Sequence, residues 1–424
     1  MTPESWCFLH AADLHIDSPM RGLVAYEGAP AEALRLATRE AFRAMIELAL
    51  ARGVRFVILA GDLFDGDWPD FESRLWFVTQ VRTLTAAGIG VYAVRGNHDA
   101  ESRMTSELRW PEGARVFRSK SPESIEIGEL DVVLHGQSYN DPKTEQNLAR
   151  DYPGAVAGKL NIGVLHTALE GREGHGTYAP CTTADLEAKG YDYWALGHVH
   201  AREVVAEDPW IVFPGNLQGR HVRETGAKGV SLVHVVEGSI QSVEHVDCDV
   251  ARWVVVSVDA SGLTGEDELL SLIEEHLQGA FEGGAGRVMA ARVQVTGTTS
   301  LDPVLRLDEV RFVQEVRASA ARVSADLWVE KIKLQTVAPV AQGPAHEGLR
   351  GLGQRIVTAE LEDEELANLT RQLAKLSGRL PAGVRAAYDP GDRKVLRAAL
   401  DPARRYLAAM LSRVDEGPAN GDDA

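Results

Sequence analysis

Five short fragments of this chain carry side chains suited to hard or borderline divalent cations. They are Asp13-Leu14-His15, Gly61-Asp62, Gly96-Asn97-His98-Asp99, His166 and Gly197-His198-Val199-His200. Two cations about 3.5–4 Å apart repel one another, so a carboxylate shared between them is the natural central ligand. Asp62 fits that place. Neutral imidazoles and the amide oxygen of Asn97 complete the set without making it so negative that phosphate is turned away. Such a pair would lower the pKa of a water, which attacks phosphorus while the cations hold the non-bridging oxygens.

Taken singly, each fragment is weak, because Asp-x-His and Gly-Asp occur in ordinary turns. Their placement gives them force. Asp62 ends the apolar run Phe56-Val57-Ile58-Leu59-Ala60, and the other fragments likewise follow apolar stretches. In an extended segment, alternation would point His198 and His200 the same way. A purely structural origin would need five separate coincidences within one α/β domain.

The elements that must present these residues follow from periodicity. Trp6 to Ala12 reads as a strand ending at Asp13. A helix from about Ala31 to Arg52 places Leu34, Ala37, Ala41, Met45, Leu48 and Ala49 on one face, with Gly53 as its cap. Val54 to Ala60 is the next strand, Phe71 to Ala87 a helix, and Ile89 to Val94 the third strand. This β-α-β-α-β order predicts a parallel sheet covered on both faces, with ligands at the carboxyl ends of its strands. Strand character recurs at Ser124–Ile127, Asp131–His135, Asn161–Leu165, Tyr193–Leu196, Trp210–Phe213, Val230–Val236 and Ser239–Val246. Two mixed sheets packed face to face are expected, forming a domain over residues 1–248.

Residues 249–337 restart the pattern as strand Trp253–Val258, helix Glu266–Leu277, strand Arg287–Val295, helix Pro303–Ala318 and strand Leu327–Thr336. That reads as a small α+β domain. A linker rich in Ala, Pro and Gly follows over 338–353, then a helical region over 354–414. There Leu366, Leu369, Leu373 and Leu376 form one stripe, acidic residues open the helix, and Arg371 and Lys375 close it. Asp401-Pro402 would start a second helix, and 415–424 reads as an acidic disordered tail.

The 424 residues carry a net charge of −18, which argues against holding DNA by a uniformly basic surface. Two divalent cations would reverse the sign locally, so a nucleic-acid substrate is not excluded. Cys7, Cys181 and Cys248 are far apart and suggest neither a disulfide framework nor a zinc ribbon. No window approaches a membrane span, and no basic-then-apolar leader opens the chain, so a cytoplasmic protein is expected.

Together the five fragments resemble the five motifs of the calcineurin-like metallophosphoesterases. Gly61-Asp-Leu-Phe-Asp65 and Phe213-Pro-Gly-Asn-Leu-Gln-Gly-Arg220 further resemble the DNA double-strand-break nucleases, such as the D subunit of bacterial SbcCD. The opening His10-Ala-Ala-Asp-Leu-His-Ile-Asp-Ser-Pro19 is closer to the YhaO-like exonuclease branch. The resemblance covers residues 6 to about 235 well and the C-terminal helices hardly at all. It implies a four-layer fold with a smaller α+β capping domain and C-terminal helices. It also implies one metal on Asp13, His15, Asp62 and His200, a second on Asp62, Asn97, His166 and His198, and His98 facing the phosphate as the catalytic residue. Two manganese ions, a DNA substrate, an ABC-type coiled-coil ATPase partner docked on a C-terminal helix, and a homodimer are implied with it.

Asp65 and Asp99 adjoin ligands and are candidates to orient His98 or a metal-bound histidine, with simple capping of the loop as the alternative. Arg95, Arg220, Arg21 and His221 are candidates to touch phosphate, with a structural role as the ordinary alternative. Asp17 reads as a turn residue, and His10, His135 and His175 as packing or surface residues. Trp68 and Trp110 are weighed as base-stacking platforms and set aside in favour of core packing. Three functions follow: a two-metal DNA exonuclease with possible endonuclease activity, a phosphoesterase for small esters, or a non-catalytic subunit that binds DNA ends.

Overall fold

A computed structural model describes residues 5–18, 31–65, 71–101, 109–170, 178–339 and 363–377, with a few single positions beyond. Arg21, Trp68, His175, nearly all of the 338–353 linker, the Asp401 helix start and the 415–424 tail lie outside them.

The first sheet has the order β12-β11-β1-β2-β3-β4. Its strands are β1 (Ser5–Ala11), β2 (Phe56–Ala60), β3 (Gly90–Val94), β4 (Ala114–Val116), β11 (Gly229–Val236) and β12 (Ser239–Asp247). From β1 to β4 the neighbours are parallel, and β11 adds antiparallel to β1. The second sheet has the order β5-β6-β7-β8-β10-β9. It comprises β5 (Glu123–Ile127), β6 (Val132–Gly136), β7 (Leu160–His166), β8 (Tyr193–Gly197), β9 (Glu203–Glu207) and β10 (Trp210–Phe213). Both sheets are therefore mixed, as expected. The short β4 and the edge strand β9 have no sequence signal of their own: β4 is three residues long, and β9 leaves its side chains half-exposed.

The two sheets face each other across a shared apolar core. Phe8, Ile58 and Val94 from the first meet Leu134, Ile162 and Tyr193 from the second. Phe8 stacks on Phe56 at 4.8 Å and meets Tyr193 edge-on at 5.5 Å. Strand β2 is buried along its whole length, which is why its sequence is apolar without alternation. On the outer face of the first sheet lie α1 (Ala31–Arg52) and α2 (Phe71–Ala86). Ala37, Ala41, Met45 and Ala49 of α1 are fully buried, and Phe42 stacks on Phe77 of α2 at 5.1 Å. A helix α4 (Thr183–Glu187), closed by a capping box from Thr182 and Asp185, packs Leu186 on the other side of the second sheet. The order helix, sheet, sheet, helix is the four-layer α/β arrangement.

Beyond these, β13 (Ala251–Asp259), β14 (Val288–Thr298) and β15 (Leu327–Val337) form a third sheet. Helix α5 (Glu266–Glu282) runs five residues past the Leu277 expected from the sequence, up to the Gly283-Gly284 turn. The single helix expected over Pro303–Ala318 is two, α6 (Asp302–Leu307) and α7 (Glu309–Val323). Asp308 interrupts them by leaving helical dihedrals, and its side chain accepts the Arg311 N–H as the cap of α7. The C-terminal leucine stripe is carried by α8 (Asp363–Ser377). The chain divides into two compact units. Met1–Val255, Ala280–Arg292 and Asp326–Glu330 make one, and the rest makes the other. Among the described residues no helix is long and apolar enough to cross a membrane.

One buried polar contact ties the facing sheets together. His10 of β1 accepts the Tyr193 hydroxyl at Nδ1, 3.0 Å away, and donates from Nε2 to Leu196 O at 3.1 Å. Burial outweighs that bond to the backbone and pushes the imidazole pKa down to about 3, so the folded protein keeps His10 neutral. Its stabilising effect is full above the unfolded pKa of 6.5 and is lost as pH falls towards 3. Urea denaturation at pH 7 and pH 5 should therefore give a larger stability loss for wild type than for His10→Asn, by about 2 kcal/mol. Equal losses would contradict a neutral His10.

Candidate metal centre

All five fragments reach one rim of the first unit because the parallel register brings the strand ends level. Ala60 pairs with Val94, and His166 with Gly197. Asp13 and His15 follow β1, Asp62 follows β2, and His198 and His200 follow β8. Asn97 and His98 open the short helix α3 (Asn97–Glu101) after β3.

The backbone at these ends is strained. Asp13, His15, Asp62 and His198 have φ of 51°, 42°, 51° and 101°, a region that costs a residue with a side chain about 1–3 kcal/mol. Local hydrogen bonds hold it there. Asp13 N–H donates to Gly61 O and His15 N–H to Asp62 O, both at 3.0 Å, while Leu63 and Phe64 N–H groups donate to the Asp99 carboxylate. The glycines in the motifs have a packing reason. A Cβ on Gly96 would lie 2.2 Å from Asp62 Oδ1, and one on Gly197 would lie 2.0 Å from Ala60 O.

Asp62 Oδ2 sits 3.5 Å from His166 Nε2 and 3.9 Å from His15 Nε2, so a single carboxylate oxygen lies between two imidazoles. Its Oδ1 accepts the His98 N–H at 3.0 Å. Asn97 Oδ1 is 3.1 Å from His166 Nε2. His200 Nε2 is 3.3 Å from His15 Nε2 and 3.8 Å from Asp13 Oδ1. The His198 ring is 5.2 Å from that of His166, and its backbone N–H donates to Asp13 at 3.0 Å. Two groups of donor atoms result, Asp13 with His15 and His200, and Asp13 with Asp62 and His166, each gathered within 4.8 Å.

The histidine tautomers follow from their outer partners. Nδ1–H of His15 donates to Asp65 at 2.5 Å, that of His166 to Ala60 O at 2.9 Å, and that of His200 to Glu224 at 2.7 Å. Each Nε2 is thereby turned inward, the arrangement that outer carboxylates and carbonyls impose on metal-binding histidines. His15 and His200 then oppose two lone pairs at 3.3 Å, and burial together with the Arg220 charge pushes the His15 pKa down, so a cation between them is what would relieve the contact. This donor set fits divalent cations.

The charges point the same way. Burial alone would raise the Asp62 pKa, but His166, His15 and His98 outweigh it and hold the carboxyl well below its usual range. Burial works to lower the His166 pKa, and the Asp62 carboxylate overrides this, raising it to about 9. Without metal, His166 is therefore a cation whose Nε2 proton faces Asp62 and Asn97. Burial and the Asp62 charge push Asp99 up to about 7, against the pull of the Gly96, Leu63 and Phe64 N–H groups.

His98 stands at the rim, its side chain 41% exposed and its ring 5.2 Å from that of His15. Asp65 lies nearer to His15 than to His98, whose Nδ1 is 3.7 Å away. Asp99 spends its oxygens on three backbone N–H groups, so it braces the loops of Asp62 and Asn97. Arg220 faces Asp65 and Glu224, at the back of His15 and His200. Arg95 has its backbone tied to Ser138 and Tyr139, and its Nε finds no hydrogen-bond partner among the described residues. Asp17 pairs with Arg39 at 2.6 Å, and Trp110 packs edge-on to Phe77 at 5.7 Å. His135 is buried and stacks on Tyr191 at 4.4 Å. Glu224 and Ser18 escaped the sequence reading. Ser18 donates to Asp65, and Glu224 orients His200. The one trace of Glu224 in the sequence is its position four residues after Arg220.

With this geometry the chain belongs to the calcineurin-like phosphoesterases: residues 8–202 match the model of that family. Residues 253–337 match the middle domain of metallophosphoesterase YhaO. The uncharacterized metallophosphoesterase YhaO of Bacillus subtilis is 34% identical over 335 residues, covering 78% of this chain and 81% of that one. More distant are two proteins named DNA double-strand break repair protein Mre11. That of Aeropyrum pernix is 25% identical over 371 residues, covering 81% of this chain and 84% of its own. That of Sulfurisphaera tokodaii is 24% identical over 253 residues, covering 56% of this chain and 63% of its own. The chain is a metallophosphoesterase, and its family implies divalent cations at this centre.

Two outcomes follow. Because a metal must displace the Nε2 proton of His166, Mn2+ binding to metal-free protein should tighten as pH rises towards 9, with proton release. Calorimetry in buffers of different ionisation enthalpy measures it, and pH-independent binding without proton release would contradict it. Gly96→Ala should displace the Asp62 carboxylate and lower phosphoesterase turnover by about 100-fold with the circular dichroism spectrum retained. Wild-type turnover would contradict the close packing.

Proposed function

We propose that the chain is a two-metal phosphodiesterase acting on DNA, an exonuclease in DNA repair. The observation that carries the metal chemistry is Asp62 Oδ2 lying between the inward Nε2 atoms of His15 and His166. The names of the Mre11 relatives support the substrate. One ion would be held by Asp13, His15, Asp62 and His200, the other by Asp62, Asn97, His166 and His198, with manganese the preferred metal. Bound there, such a pair neutralises non-bridging phosphate oxygens and lowers the pKa of a water.

The chain's own residues do the rest. Asp65, Ala60 O and Glu224 fix the tautomers of three imidazoles. Asp62 Oδ1 accepts the His98 N–H and so sets where that side chain leaves the backbone. His98, exposed at the rim, faces the phosphate and protonates the departing 3′-oxygen. The helix α8 is the candidate dock for an ABC-type coiled-coil ATPase, and a homodimer in the cytoplasm completes the assignment. An account of domains as 1–248, 249–337, 338–353, 354–414 and 415–424 goes with it.

A small phosphodiester or phosphomonoester is the second reading, favoured by the net charge of −18, which weakens DNA binding by bulk electrostatics. Purified protein with Mn2+ should hydrolyse 3′-labelled duplex DNA, and His98→Ala should lower the rate by about 100- to 10,000-fold while metal stays bound. Hydrolysis of cAMP or an aryl phosphodiester with DNA untouched would refute the nuclease assignment. A metal-loaded protein inert on all three would favour a non-catalytic subunit that binds DNA ends, or a requirement for the ATPase.

A further inference from the structure

Arg220 lies behind the metal centre, its side chain only 13% exposed. Nη1 donates to Ser18 Oγ at 3.2 Å and reaches the two oxygens of Asp65 at 3.4 and 3.3 Å. Nη2 donates to Glu224 Oε1 at 3.2 Å, and the Arg220 backbone N–H donates to Glu224 Oε2 at 2.7 Å. Those two carboxylates are the ones that accept Nδ1–H of His15 and of His200. One guanidinium therefore spans the anchors of the two imidazoles that oppose each other at 3.3 Å. The histidine next to Asn97 is anchored differently: His166 donates to a main-chain carbonyl, Ala60 O.

We infer that Arg220 is a positioning residue for one metal position alone, that of His15 and His200, acting through Asp65 and Glu224. The inference rests on the ligand assignment proposed above. Without the guanidinium, the half-buried Asp65 and the buried Glu224, of like charge, lose their shared counterion. They then move apart, and the imidazoles they hold lose their inward aim. A lysine would not repair this, because a single ammonium on a flexible stem lacks the planar fork that reaches two carboxylates at once. The position of Asn97 and His166 is spared, since its anchor belongs to strand β2. Loss of such outer partners typically weakens metal binding by about 10- to 100-fold.

The test is Mn2+ binding to the full-length metal-free protein by equilibrium dialysis, with electron paramagnetic resonance at limiting metal and thermal melts to verify folding. Wild type should bind two ions. Arg220→Met and Arg220→Lys should each weaken one ion by about 10- to 100-fold and leave the other unchanged. Their spectra should shift from a coupled pair to an isolated ion. In a His166→Ala protein, which keeps the His15 and His200 position, adding Arg220→Lys should weaken the remaining ion by the same factor. Wild-type affinity for both ions in the folded Arg220 variants would overturn the inference, as would equal weakening of both. Unchanged metal binding with a raised KM would overturn it in favour of a direct phosphate contact. A wild-type protein that binds fewer than two ions would overturn the ligand assignment itself, and the inference with it.

Discussion

The centre of this protein depends on a conflict among electron pairs. His15 and His200 aim their Nε2 atoms at each other across 3.3 Å, and Asp62 and Asn97 aim oxygens at His166 from 3.5 and 3.1 Å. His15, His200, His166 and Asp62 are each fixed from behind by a carboxylate, a carbonyl or a main-chain N–H. Positive charge is the remedy, supplied in the metal-free protein by the proton on His166, and it would be supplied by cations at a loaded centre. The raised pKa of His166 is the same fact seen from the proton side.

The fold exists around that conflict at a cost. Four of the aligned residues hold left-handed dihedrals, which the sheets over-determine by fixing the preceding strands in register. Asp99 braces the turn after Asp62 from inside, and His10 locks the two sheets together three residues before Asp13. Cations bound here would offset part of this cost, and loading of the centre would then stabilise the rim.

Much of this was legible in the amino-acid order. Strand β2 was visible as an unbroken apolar run because both of its faces are buried, and α1 because alanine and methionine recur at its buried stripe. The glycines before Asp62, Asn97 and His198 could be read as motif punctuation, but their reason, close approach of neighbouring backbone and side chains, exists only in three dimensions. Glu224 was not legible. Its carboxylate meets His200 through a loop after β10, at a spacing that belongs to no local element. The division of α6 from α7 was missed because Asp308 is acceptable inside a helix by propensity and acts here as a cap. The edge strand β9 was missed because its half-exposed side chains carry no alternation.

Asp62 as the shared ligand of two ions is the claim on which the rest turns. Anomalous diffraction from a crystal soaked in Mn2+ tests it directly. The account predicts two peaks about 3.5–4 Å apart, with the Asp62 carboxylate between them. A single peak, or a pair that does not share Asp62, would contradict it.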